Sequence, residues 1–143
     1  MILIYIPGCW DLLHVGHLTI LERARSLGDK LIVGVPSDDT VKEDKGEWPI
    51  VKLEHRLRML NAFKCVDFAV PYYSLEFLTH LELFKPDILV VGDTWGSDIR
   101  HKRAENWIQR NDRRMVVMPY SSGVSTTMMR QRLHDLNRSQ DID

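Results

Sequence analysis

Short unbroken apolar runs alternate along this chain with longer stretches in which apolar residues recur every three or four positions. The runs are Ile2 to Ile6, Leu31 to Val35, Phe68 to Val70, Ile88 to Val91 and Met115 to Met118. Runs of that length without polar interruption are the pattern of strands buried on both faces, as in a parallel sheet. Between them the period becomes helical. Leu18, Leu21, Ala24 and Leu27 share one stripe, with Gly28 as a stop. Leu53, Leu57, Leu60 and Phe63 define a second helix over Leu53 to Lys64. Leu75 to Phe84, ended by Lys85-Pro86, is a third, and Arg103 to Gln109 a fourth. Ser125 to Leu136 closes the fold as a fifth, capped by the hydroxyl of Ser125 or Thr126. Strand and helix in alternation predict one doubly wound, Rossmann-like α/β domain around a five-stranded parallel sheet. Ligands of such a sheet sit beyond the carboxyl ends of its strands. The irregular segments Pro7 to His17, Ser37 to Lys52, Gly92 to Lys102 and Pro119 to Thr127 fall there. Asn137 to Asp143 is polar and reads as a frayed tail.

Composition changes this picture little. At 143 residues the chain has room for one real core, and 44% hydrophobic with 27% charged residues is ordinary for a globular protein. A net charge of -1 argues against a nucleic-acid or membrane surface, so any anion site must be built by local placement. Cys9 and Cys65 lack metal-type spacing and imply a reduced, cytoplasmic setting. Neither a signal peptide nor a membrane-spanning segment is expected.

Candidate chemistry begins at His14-Val15-Gly16-His17, just after the first apolar run. Histidines three apart share one face of a helix. These two sit where a strand gives way to a helix, whose free amides and dipole favour anions. Gly16 carries no side chain, so a ligand can approach the backbone. Together these features describe a polyphosphate site. Two other readings stand beside it: a cap plus a core histidine, or a metal pair that would need a third ligand such as Asp11. In Ser125-Thr126-Thr127 one hydroxyl suffices for a cap, and three beside free amides also suit a triphosphate. Lys42 and Lys45 lie in the loop after the second strand, either solvated or facing phosphate. Arg56 reads as a structural partner for a carboxylate of a neighbouring element.

Gly8-Cys9-Trp10-Asp11 followed by His14-Val15-Gly16-His17 resembles the nucleotidyltransferase signature of the cytidylyltransferase family, G-x-F-D-x-x-H-x-G-H, with Trp10 in place of Phe. Gly123-Val124-Ser125-Thr126-Thr127 resembles the family's G-I-S-T-T, and Glu54-His55-Arg56 its E-H-R helix. The likeness runs through nearly the whole chain. It implies in-line attack of an acceptor phosphate on the α-phosphorus of a nucleoside triphosphate, with pyrophosphate leaving. It implies His14, His17 and Lys45 as catalytic groups. Gly8, Cys9, Trp10, Asp11, Gly16, Gly92, Asp93, Ser125, Thr126 and Thr127 would bind the nucleotide, and Lys64, Trp95 and Asp11 the acceptor. Lys64 stands where the glycerol-phosphate branch has an arginine, keeping the charge without the fork. Mg2+ would bridge the phosphates, with Asp11 best placed to assist the ion or fix the loop. A homodimer is implied, with a nucleoside triphosphate and a phosphorylated small molecule as partners and neither nucleic acid nor membrane.

The nucleobase is divided between two branches. Gly92-Asp93-Thr94-Trp95 and Glu54-His55-Arg56 resemble the glycerol-3-phosphate cytidylyltransferases, which makes CTP and a phosphorylated polyol the leading expectation. Cys9, the Val41-Lys42 to Lys45-Gly46-Glu47 pattern and Tyr120-Ser121-Ser122-Gly123 resemble the adenylyltransferases that make ADP-heptose. The alternative is therefore adenylyl transfer to a sugar 1-phosphate such as heptose 1-phosphate. A nucleotide-binding module without turnover is a third reading, disfavoured by the presence of both histidines and the Ser-Thr-Thr run.

Overall fold

The computed structural model describes residues 1–92, 98–119 and 126–141. Its elements in chain order are β1 (Leu3–Pro7), α1 (Val15–Arg25), β2 (Lys30–Pro36), α2 (Asp38–Lys45), α3 (Leu53–Ala62), β3 (Phe68–Tyr72), α4 (Leu78–Phe84), β4 (Ile88–Gly92), α5 (Ile99–Arg110), β5 (Arg114–Met118) and α6 (Thr126–Asp141). The strands form one parallel sheet in the order β3-β2-β1-β4-β5, the doubly wound arrangement that the alternating pattern predicts.

Alternate residues of the strands feed two cores, one on each face. Ile4 and Ile6 of β1 join Leu31, Val33 and Val35 of β2 under Ile20, Leu21 and Ala24 of α1 and Leu60 of α3. Tyr5, Ile32, Leu89 and Val91 point the other way, against Leu81 of α4 and Ala104, Trp107 and Ile108 of α5. Tyr5 reaches across β2 because Gly34 has no side chain: a Cβ there would stand 2.0 Å from the Tyr5 hydroxyl. That hydroxyl meets Nδ1 of the buried His80 at 2.8 Å.

α4 starts at Leu78 rather than Leu75, and three other elements differ further from the sequence pattern. The segment read as a loop after β2 contains α2, which buries only Thr40 and Val41 and so shows no apolar stripe. Its ends are marked instead by local chemistry. Ser37 accepts from the Thr40 amide, and Gly46 closes the helix at φ 80°. α5 starts at Ile99 rather than Arg103, capped by Asp98. α6 remains helical to Asp141, past the tail expected from Asn137, since neither glycine nor proline interrupts it.

The sheet opens where the site lies. β1 and β2 stay in register from Leu3↔Lys30 to Pro7↔Gly34, whereas β1 and β4 pair only at Ile4↔Ile88 and Tyr5↔Leu89. Beyond that point the two strands part. It is also where the winding reverses, with β2 and β3 on one side of β1 and β4 and β5 on the other. A crevice at this switch point is the expected seat of a ligand. Among the described residues no helix is long and apolar enough to cross a membrane.

Candidate active site

A cavity of about 410 Å³ fills that crevice. Ile6, Pro7, Val91 and Gly92 form its floor, and the β1–α1 loop with the start of α1 forms one wall. Lys45, the Glu47-Trp48-Pro49 segment, and Thr127 with Arg130 of α6 close the rest.

The β1–α1 loop is bent tightly enough to place two non-glycine residues in the left-handed region, Trp10 at φ 59° and Leu12 at φ 47°. Such positions cost about 1–3 kcal/mol each and persist only where the surroundings hold them. Trp10 is held by burial and by its indole N–H, which donates to the Gly34 carbonyl at 3.0 Å. Gly8 makes room for the ring: a Cβ there would lie 2.8 Å from it.

Asp11, buried between the two strained residues, is a hub. Its Oδ1 accepts from the amides of Leu12 at 3.2 Å and Val51 at 2.9 Å. Its Oδ2 accepts from the Ile50 amide at 2.9 Å and from Arg130 Nη2 at 3.1 Å. One carboxylate thereby joins the β1–α1 loop, the segment before α3, and α6. Of the roles expected for Asp11, the structure gives it the fixing of the loop. Among the described residues, no group of three or more His, Cys, Asp or Glu side chains could hold a metal.

His14 and His17 cap the helix they begin. His14 Nδ1 accepts from the Gly16 amide at 3.0 Å, and the His14 amide donates to His17 Nδ1 at 3.2 Å. This is a reciprocal capping box built from imidazoles, with the ring centroids 4.0 Å apart. A ring nitrogen that accepts an N–H carries no proton, so in each neutral ring the proton sits on Nε2. Burial lowers the pKa of His14. Burial, and then the neighbouring His14, lower that of His17 to about 4. At neutral pH both rings are uncharged donors through Nε2. His14 Nε2 is buried with no hydrogen-bond partner, the one such side-chain atom among the described residues. An unmet buried donor is costly, and a ligand oxygen in the cavity would satisfy it.

The two lysines expected in a loop lie on α2, and the structure separates them. Lys45 lines the cavity. Lys42 Nζ donates to the Gly46 carbonyl at 2.7 Å and lies 5.9 Å from the centre of the Trp48 ring, so it serves the end of its own helix. Arg56 is fully buried and structural, as its sequence reading holds. It donates to the carbonyls of Val51 and Cys9, both at 2.9 Å, and to Asp38 Oδ1 at 2.7 Å. The same Asp38 oxygen accepts from the Leu53 amide, capping α3 from α2 where Lys52 makes no cap of its own. Burial pushes the Cys9 thiol up, so it forms a neutral part of the wall.

Gly8, Cys9, Trp10, Asp11, Gly16, Gly92 and Thr127 all meet at the cavity, as does the backbone start of α6 at Thr126 close by. Asp93, Trp95 and Ser125 lie outside the described residues. Lys64 is corrected. α3 begins beside the cavity and runs back along the sheet for 10 residues, about 15 Å of helix, so Lys64 emerges where β3 begins. It is not part of the cavity wall. Two wall residues escape the sequence pattern, Arg130 and Trp48, whereas Glu47 enters it only as the end of the Val41 to Glu47 resemblance. Arg130 had a readable signal, because it follows Thr127 by three positions on one helix face. It also pairs with Glu47 at 3.6 Å. Trp48 carries no signal beyond that of an ordinary surface residue.

A crevice at a topological switch point is walled by neutral imidazole donors, a lysine and the Thr127 of a helix start, a set of donors that can meet phosphate oxygens. The profile of the cytidylyltransferase-like family matches residues 5–132, and the chain belongs to that family. The bifunctional protein HldE of Haemophilus influenzae is 39% identical over 127 residues, which are 88% of this chain and 26% of that protein. HldE of Helicobacter hepaticus is 45% identical over 91 residues, 63% of this chain and 19% of that one. The chain thus spans about a quarter or less of the length of these relatives. Among solved structures, a lipopolysaccharide core biosynthesis protein from Thermoplasma volcanium superposes with a TM-score of 0.71 at 27% identity, covering 87% of this chain and 99% of that one. A pantoate-beta-alanine ligase from Francisella tularensis shares the fold, with a TM-score of 0.60 at 16% identity over 85% of this chain and 60% of that one.

Proposed function

We propose that the chain transfers the adenylyl group of ATP to a sugar 1-phosphate such as heptose 1-phosphate, releasing pyrophosphate. The observation that carries this reading is the 39% identity with HldE across 88% of the chain. It joins the residues that resemble ADP-heptose-forming enzymes, Cys9, Val41 to Glu47 and Tyr120 to Gly123. Together they reverse the leading sequence expectation of CTP and a phosphorylated polyol.

In this reaction an oxygen of the acceptor phosphate forms a bond to the α-phosphorus. The bond from that phosphorus to the bridging oxygen breaks, and pyrophosphate leaves with the electron pair. The nucleophile is already ionised at neutral pH, so no general base is required. The protein's work is positioning and charge stabilisation. The Nε2–H groups of His14 and His17 donate to phosphoryl oxygens as negative charge moves towards the leaving group. Lys45 offsets the same charge, and Thr127 and the start of α6 hold the triphosphate, with Arg130 fixing the wall through Asp11 and Glu47. A Mg2+ ion used in the reaction would enter on the triphosphate, because the described side chains offer it no ligand set.

The test is pyrophosphate release from ATP, CTP, GTP and UTP against heptose 1-phosphate, glycerol 3-phosphate and other sugar phosphates. ATP with a sugar 1-phosphate is expected to be fastest. A base whose buried polar groups go unpaired loses about 1–3 kcal/mol, so ATP should exceed CTP roughly tenfold or more in kcat/KM. Faster release from CTP with glycerol 3-phosphate would overturn the reading.

A further inference from the structure

Beside the cavity of the signature loop lies a second one of about 250 Å³, between the ends of β2, β3 and β4 and the helices α2 and α5. The two share Gly8, Cys9, Lys45 and Gly92 as a common wall. We infer that this second cavity seats the carbon body of the acceptor, a polyhydroxylated molecule without further negative charge, and that Asp44 reads its hydroxyls. The inference rests on the nucleotidyl-transfer reading and adds the acceptor's side to it.

Three observations carry it. In-line transfer needs the reacting atoms about 3–3.5 Å apart, so the acceptor's space must touch the space of the triphosphate. The shared wall at Lys45 provides that contact. Second, the linings differ in kind. The first cavity holds the two histidines, Thr127 and Arg130, whereas the second holds Asp44, Tyr72, Arg100 and His101. Third, the arginine of the second cavity is already committed. Its Nε and Nη2 pair with Asp98, and Nη2 also donates to Asp44 Oδ1 at 2.8 Å. Nη1 points to the Leu75 carbonyl at 3.4 Å. A guanidinium with its fork spent on two carboxylates has little left for a phosphate. It holds the Asp44 carboxylate across from α5 to α2 instead. A carboxylate accepts only, so its natural partners are hydroxyl donors, and it repels a second anionic group. The acceptor's phosphate then falls at Lys45, on the side of the triphosphate. At about 250 Å³ the cavity lies below the roughly 300–1,000 Å³ of sites for drug-sized ligands, as a small acceptor requires.

The experiment compares wild type with Asp44→Asn and Tyr72→Phe, using whichever nucleotide and acceptor give the fastest pyrophosphate release. For Asp44→Asn the KM of the acceptor should rise about tenfold or more while the KM of the nucleotide stays within about twofold. Wild type should prefer the acceptor over its monodeoxy analogues, and Asp44→Asn should lose preference for at least one hydroxyl, which a mere loosening of α2 and α5 would not produce. Tyr72→Phe should move the acceptor KM in the same direction without touching the nucleotide. A parallel rise in nucleotide KM would put the nucleotide's base in this cavity and overturn the inference. Unchanged hydroxyl preference in both variants would overturn it as well. If CTP with a polyol phosphate proves the working pair, the adenylyl reading fails while the KM split still decides the cavity. A wild type that binds ATP and releases pyrophosphate with no acceptor overturns both.

Discussion

His14 and His17 reach the neutral state by burial, and each spends its Nδ1 on a main-chain amide. The proton-bearing nitrogens are thereby left for the ligand before any ligand arrives. Replacing His17 by Ala should remove one such donor and lower kcat by about 10²–10³-fold, the usual effect of losing one preorganised donor. The lost cap should cost about 0.5–2 kcal/mol, so the variant stays folded; circular dichroism and pyrophosphate release together check this. Near-normal turnover in a folded variant would remove His17 from the chemistry. The same residue sets a pH dependence of stability. Unfolded, its pKa returns to about 6.5; folded, it is about 4. Between those values the unfolded chain binds the proton and the folded one does not. Its contribution is therefore complete above about pH 6.5 and is lost as the pH falls towards 4. Denaturation midpoints at pH 7 and pH 5 should differ more for wild type than for His17→Gln, and equal differences would show that another group titrates.

At the scale of elements, α2 delivers two lysines to different tasks. Lys45→Ala should lower kcat/KM for the triphosphate by about 10–100-fold, while Lys42→Ala, which loses only a bond to Gly46 and a contact with Trp48, should stay within about threefold. Both should change stability by less than about 1 kcal/mol, the usual range for exposed charges. Equal kinetic effects would mean that the helix acts as a diffuse basic surface. α2 also shows where sequence pattern ends. The five strands were legible because burial on both faces leaves an unbroken apolar run, and α1 and α3 because each covers the sheet with a stripe. α2 rests only two residues against the fold, too few to impose a period. The site followed the same division. His14, His17 and Thr127 stand at helix starts, where local chemistry and the proposed function call on the same residues. That Lys64 lies apart from the cavity depends on a quantity no motif contains, the direction in which α3 runs relative to the sheet. The role of Arg130 depends on Asp11, its partner 119 residues earlier, and no local pattern holds that distance.

For the molecule as a whole, that same bond has a consequence in time. Most contacts of the sheet join neighbouring strand–helix units, but the bond from Arg130 to Asp11 closes a loop of 119 residues around them. The entropy lost in closing so long a loop is recovered only when the sheet between is already in place. The contact should therefore form after the folding barrier rather than on the way to it. Arg130→Ala is expected to speed unfolding while leaving the folding rate nearly unchanged, the signature of an interaction absent from the transition state. Stopped-flow measurements across a denaturant series resolve the two limbs, and a matching slowdown in folding would place α6 in the nucleus instead. In a refolding chain the triphosphate cavity would then be the last part to become whole, and binding of a fluorescent nucleotide should lag behind the recovery of helix and sheet.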